Sequence, residues 1–187
     1  SLLKNKILNE ITKLTKEGKR VLALAKEEND GTYIFLGLIT IKDELRKESK
    51  DAINTIHNAG INVIMITGDA LETAVSIAKE CGVIKRSTDL VLTSEEFNKL
   101  DDEEIKSKIN NLKVVARALP TDKSRLVKVI EEMNLIVGMT GDGVNDAPAL
   151  KKANVGFAMG SGSEVAKEAS DIVILDNNIL SISKAIL

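Results

Sequence analysis

The sequence predicts an α/β fold, a parallel sheet with helices on both faces, and three observations predict it. From about residue 41 helical patterns alternate with short Val/Ile-rich runs, as repeated strand–helix–strand units require. Runs such as Ile61 to Ile66 and Val114 to Ala116 are nearly continuously apolar, as strands covered on both sides must be. Polar, glycine-containing stretches come directly after several of these runs, where an open parallel sheet binds its ligands.

The elements are taken in chain order. Leu3, Ile7, Leu8, Ile11 and Leu14 recur at helical spacing over residues 2 to 17, and Gly18 is the natural stop. Two strand-like runs, 20 to 25 and 32 to 39, flank the Asp30-Gly31 turn signal and read as a β-hairpin. A helix and a hairpin cannot bury both of their apolar faces, so this opening is expected to be the tail of a larger unit or to pack on the remainder of the chain. A helix from about 44 to 58 ends at Gly60, the strand 61 to 66 comes next, and a helix from 71 to 81 ends at Gly82. After a polar stretch with a short helix at 101 to 110 come strand 114 to 116, helix 122 to 133 and strand 135 to 139. A short helix at 147 to 152, strand 155 to 159, helix 163 to 169 and strand 172 to 175 complete the series.

Composition narrows the function. The 187 residues carry 26 Lys+Arg against 28 Asp+Glu, a net charge of −2 that gives no electrostatic case for nucleic acid. A single cysteine, Cys81, excludes an intrachain disulfide and a cysteine metal cluster, and makes the cytosol the default compartment. It reads most simply as a small core residue at a helix end. No apolar run approaches the roughly 18 residues of a membrane span, so the chain as given is expected to be soluble.

Three strand ends share one chemistry. Thr67-Gly68-Asp69 follows the 61 to 66 run, Arg117 to Lys123 follows the 114 to 116 run, and Thr140-Gly141-Asp142-Gly143-Val144-Asn145-Asp146 follows the 135 to 139 run. Together they offer a hydroxyl and backbone amides for phosphate oxygens, an ammonium for their charge, and carboxylates for a hard divalent cation. That inventory suits phosphoryl chemistry. Singly, Thr67-Gly68-Asp69 also fits a helix-capping turn with Asp69 as the N-cap. Lys123 falls in the first turn of its helix, where the macrodipole disfavours a cation. His57 has no His or Cys partner at ligand spacing and reads as a surface or capping residue.

The stretch Met139 to Gly160, with Thr140-Gly141-Asp142-Gly143-Val144-Asn145-Asp146 at its head, resembles the hinge signature of P-type cation-transporting ATPases. Ile64 to Asp69, Ala116 to Ser124 and Glu164 to Asp171 fit the same family in order and spacing, so the resemblance covers essentially the whole chain, closest to bacterial members akin to calcium pumps. It implies a phosphorylation domain of haloacid-dehalogenase type, with a Rossmann-like parallel sheet over residues 41–187 and the tail of a nucleotide-binding domain over 1–40. Thr67, with Gly68 and Asp69, would bind phosphate, Lys123 would neutralise it, and Asp142 and Asp146 would hold Mg2+, with Gly143 and Asn145 completing the surroundings. Arg20, Asp43, Arg46 and Arg117 match nucleotide-binding or hinge positions, although Glu44 stands where the hinge usually has Pro. The altered segment at Asp176-Asn177-Asn178 is expected to touch the exit toward the membrane rather than the phosphate site.

The family's nucleophilic Asp-Lys-Thr-Gly-Thr segment does not occur in this sequence. The resemblance therefore implies part of a pump that couples ATP hydrolysis to cation transport, with calcium as the family-level expectation. Its partners would be Mg2+, ATP and the remaining nucleotide-binding, actuator and membrane domains, and its place the cytoplasmic face of a cell membrane. The strand that bears the nucleophile is central in this fold, so the sheet should contain a gap, closed by direct pairing of the flanking strands, by strand borrowing or by dimerisation. Taken alone the chain is expected to be inactive. The alternatives are a stand-alone phosphatase of the same superfamily and a non-catalytic phosphate- and Mg-binding module.

Overall fold

A computed structural model describes residues 2–42 and 46–186, and Asp43 lies outside the described residues. Helix α1 (Leu2–Lys16) ends as expected at Gly18, whose φ of +76° lets Lys19 N–H reach Leu14 O at 3.2 Å. Strands β1 (Arg20–Glu27) and β2 (Tyr33–Ile41) form the hairpin, from Arg20↔Ile41 to Glu27↔Tyr33. Gly37 faces Leu24 and Phe35 faces Ala25, so Leu36 is the extra residue of a bulge. Leu22, Ile34, Leu36 and Ile39 stay exposed, which is the deficit of cover that the sequence implied. α1 packs against β1.

The remaining strands are β3 (Met65–Ile66), β4 (Leu90–Thr93), β5 (Leu112–Ala116), β6 (Gly138–Gly141), β7 (Val155–Met159) and β8 (Ile172–Ile174). The helices are α2 (Lys47–Asn58), α3 (Leu71–Glu80), α4 (Ser94–Lys99), α5 (Asp102–Lys108), α6 (Pro120–Glu131), α7 (Ala147–Lys152), α8 (Glu164–Glu168) and α9 (Ile179–Ile186). All strand pairs after the hairpin are parallel. α1 also packs against α3.

Three departures from the sequence reading bear on the parallel strands. The 61 to 66 run yields only a two-residue strand, because among the described residues β3 has one partner, β5, and pairs with it at Met65↔Val114 and Ile66↔Val115. The stretch read as polar contains β4 and α4: Leu90-Val91-Leu92 is a short parallel strand, and Thr93 with Glu96 forms a capping box that starts the helix at once. β6 begins at Gly138 rather than 135, because Asn134 (φ +58°) turns the chain and leaves Ile136 81% exposed before pairing starts at Gly138↔Val155.

The parallel strands form two sheets, ordered β3-β5-β4 and β6-β7-β8. Among the described residues β3 and β6 do not pair with each other, so the expected gap is present and direct pairing does not close it. Helices span it instead. On one face Leu126 and Val129 of α6 enter the core of the first sheet with Leu112 and Val115, Val127 enters that of the second with Met139 and Ala158, and Ile130 touches both. On the other face Ile179 of α9 packs against the cluster of Ile53 and Val114 and against that of Phe157 and Ile174.

Candidate phosphate site at the gap

Thr67 and Asp69 sit where β3 stops and the chain turns toward α3. Thr67 Oγ1 donates to Asp69 Oδ2 at 3.0 Å and accepts from Asp69 N–H at 3.1 Å. Backbone bonds from Ala118 N–H to Thr67 O (2.8 Å) and from Arg117 N–H to Asp69 O (2.9 Å) stitch this turn to the end of β5. Asp69 is not a helix cap, since α3 starts after Ala70 and has no side-chain cap. Its carboxylate instead meets Arg20 from β1 at 2.6 Å, which brings the hairpin to the turn after β3.

Lys123 emerges from the first turn of α6, a helix begun by Pro120. The next residue back fixes that turn: Asp122, 1% exposed, accepts from Leu119 N–H, Ser94 Oγ and Asn98 Nδ2. Burial would raise the Asp122 pKa, but these donors outweigh it and hold the carboxyl below its ordinary value. Lys123 Nζ lies 2.5 Å from Asp146 Oδ1, with both side chains largely buried. The other oxygen of Asp146 accepts from the N–H groups of Asp142 (3.2 Å) and Gly143 (3.1 Å). Gly141 makes this approach possible, because a Cβ there would stand 2.4 Å from Asp146 Cβ.

Ile66, Thr67, Lys123, Gly141, Asp142 and Asp146 line one cleft of about 320 Å³ between the two sheets. The structure thus brings together the residues expected from three separate strand ends. Asp142 and Asn145 are exposed there, and among the described residues no donor reaches the Asp142 carboxylate. No group of three or more His, Cys, Asp or Glu side chains is placed to hold a metal among the described residues. Of the carboxylates lining this cleft, Asp142 is the one without a donor among the described residues, which suits Mg2+, a cation that keeps several waters and takes one or two carboxylates beside substrate phosphate. Both Asp146 oxygens are engaged.

The other expected residues are placed less uniformly. Arg117 has φ +53° and an exposed side chain. Arg46 Nη1 donates to Asn177 O at 2.6 Å, so its described contact is with the segment after β8. Asn177 Oδ1 in turn accepts from Ser161 N–H at 2.8 Å, in the loop whose Ser163 N–H donates to Asp142 O. Sequence reasoning also passed over Asp122 as the anchor of the Lys123 turn. Its signal was an acidic residue three positions after Leu119, the N3 place of a helix opened by proline.

A family model described as haloacid dehalogenase-like hydrolase matches residues 3–154, most of the chain. The chain belongs to the haloacid dehalogenase-like hydrolases. A second model of the same description matches residues 125–186. The chain is 43% identical to Calcium-transporting ATPase 1 of Bacillus cereus, over 98% of this chain and 22% of that protein. It is 45% identical to Calcium-transporting ATPase PAT1 of Dictyostelium discoideum, over 87% of this chain and 14% of the relative. It is 42% identical to the sodium/potassium exporting P-type ATPase cta3 of Schizosaccharomyces pombe, over 96% and 20%. A crystal structure of a zinc-transporting PIB-type ATPase in an E2.Pi state superposes with a TM-score of 0.65 at 28% identity, over 97% of this chain and 25% of that one. This haloacid dehalogenase-like chain therefore spans 22%, 14% and 20% of the length of these three relatives. None of its described helices is long and apolar enough to cross a membrane.

Proposed function

We propose that this chain is the phosphate- and Mg2+-handling part of a P-type cation-transporting ATPase, whose remaining domains supply the nucleophilic aspartate, most of the nucleotide site and the membrane path. The observation that carries this reading is the Lys123–Asp146–Asp142 constellation facing Thr67 across an unfilled gap between two parallel sheets. Calcium is the proposed ion, on the relatives named as calcium transporters. Residues 1–40 are proposed to belong to the nucleotide-binding unit, and 41–187 to the phosphorylation unit.

Each residue then has a task. The Thr67 hydroxyl and the amides around Gly68 hydrogen-bond the oxygens of the phosphoryl group. Lys123, parked on Asp146, turns its ammonium to the phosphoryl dianion, a stronger competitor for it than one carboxylate. Asp142 would hold Mg2+, with Asp146, once released by Lys123, as a second carboxylate and Asn145 and Gly143 beside them. Mg2+ when bound would neutralise charge on the transferring group. Arg20, paired with Asp69, is proposed to serve the phosphates of ATP; Arg46, Arg117 and Asp43 are proposed to serve nucleotide and hinge contacts.

The phosphatase alternative needs a nucleophile of its own. Asp43-Glu44-Leu45 lacks the Asp-x-Asp spacing that such chemistry uses. The test is a chimera in which this chain replaces the matching segment of the Bacillus cereus relative. ATP-dependent phosphoenzyme should form in membranes, and Lys123→Ala in the chimera should abolish it. A membrane-inserted chimera that never becomes phosphorylated would overturn the reading.

A further inference from the structure

The loop between β7 and α8, Gly160-Ser161-Gly162-Ser163, lies directly on the backbone of Asp142. Ser163 N–H donates to Asp142 O at 2.7 Å, and Ser163 is itself the N-cap of α8, its hydroxyl accepting from Ala166 N–H. Gly162 is required for this approach: a Cβ there would stand 2.9 Å from Asp142 O and 3.1 Å from its Cα. One end of the loop is held from elsewhere. Gly160 N–H reaches Ile174 O at 2.8 Å, and Ser161 N–H reaches the side chain of Asn177 at 2.8 Å. Asn177 adopts φ +54°, a conformation that asparagine tolerates better than most residues, and its own carbonyl is clamped by Arg46 at 2.6 Å.

We propose that Asn177 is a positioning residue for the cation ligand Asp142, acting through the loop 160–163. Its side chain fixes Ser161, the loop fixes the Asp142 carbonyl, and the carbonyl fixes the direction in which the free carboxylate leaves the backbone. The same residue receives Arg46, at the start of α2, so the connection from the hairpin and the cation ligand share one anchor. The proposal rests on Asp142 as the ligand.

The probe is Mn2+, followed by electron paramagnetic resonance on the full chain. Outer partners of metal ligands commonly contribute about 10- to 100-fold in affinity, and one further removed should contribute roughly three- to tenfold. Asn177→Gly keeps the positive φ and removes the acceptor, so it should weaken Mn2+ binding by that roughly three- to tenfold factor and speed amide exchange at Ser161. Asn177→Asp keeps an acceptor oxygen and should restore both. Asp142→Asn run in parallel separates the two layers. If Asp142→Asn weakens binding while Asn177→Gly binds as wild type, the positioning role is wrong. If Asp142→Asn leaves binding unchanged, the assignment of Asp142 falls and this role with it.

Discussion

At the scale of single residues, the Lys123–Asp146 contact concentrates most of the charge chemistry. With side chains 16% and 9% exposed, it lies between a surface pair and a fully buried one. Lys123→Ala leaves Asp146 with two amide donors and no cation, so the loss should be about 2 kcal/mol, below the roughly 3–5 of a broken buried pair. Urea unfolding of the variant measures it. Gly141→Ala should cost about 1–3 kcal/mol by driving a methyl into Asp146, seen in the same assay. His57 tests the acid limb of stability. Its pKa is lowered by burial first and then by Lys85 and Lys113, and its Nε2 is buried without a hydrogen-bond partner among the described residues. Above its unfolded pKa near 6.5 both states are neutral; as pH falls below that value the unfolded chain takes the proton first, and stability declines until the folded pKa is passed. Thermal melts from pH 7 to 5 should therefore fall more steeply for the wild type than for His57→Asn.

At the scale of elements, α6 joins the two half-sheets on one face, as α9 does on the other, while presenting Lys123 to the gap between them. Leu126→Ala should cost about 3 kcal/mol, and amide exchange should rise in β5 and β6 together if α6 is the common support. Exchange confined to β5 would show that the second sheet is held independently. Apart from α4 and α9, which the sequence reading missed, the helices were legible to within a few residues because apolar spacing and stop residues such as Gly18 and Gly82 act locally. The strands were less so. β3 is cut to two residues by the lack of a second neighbour, β6 starts late because an asparagine turn feeds it, and β4 hid in a stretch whose polar flanks outweighed three apolar residues. In the site, Thr67, Asp142 and Asp146 were readable because they lie in the segments that follow a strand, and Lys123 because it lies in the first turn of the helix after one. The use of Asn177 beside Asp142 was not, since 35 positions separate them and only the fold of β7 and β8 brings them near.

At the scale of the whole molecule, two parallel sheets stand side by side with an open edge on each, and Thr67, Lys123, Asp142 and Asp146 gather at their common mouth. An unpaired strand edge exposes backbone donors and acceptors, and a parallel strand entering between β3 and β6 would satisfy both edges at once. A carboxylate at the end of such a strand would arrive among Thr67, Lys123 and Asp142. On this view the chain holds a competent half-site and no nucleophile. Transfer of the γ-phosphate of labelled ATP, with Mg2+, decides the matter when it is followed on the purified chain alone and together with a folded partner segment carrying the Asp-Lys-Thr-Gly-Thr strand. No label should appear on this chain in either case, and the added segment should be labelled only when Lys123 and Asp142 are intact. Hydroxylamine-sensitive label on one of this chain's own aspartates would contradict the half-site.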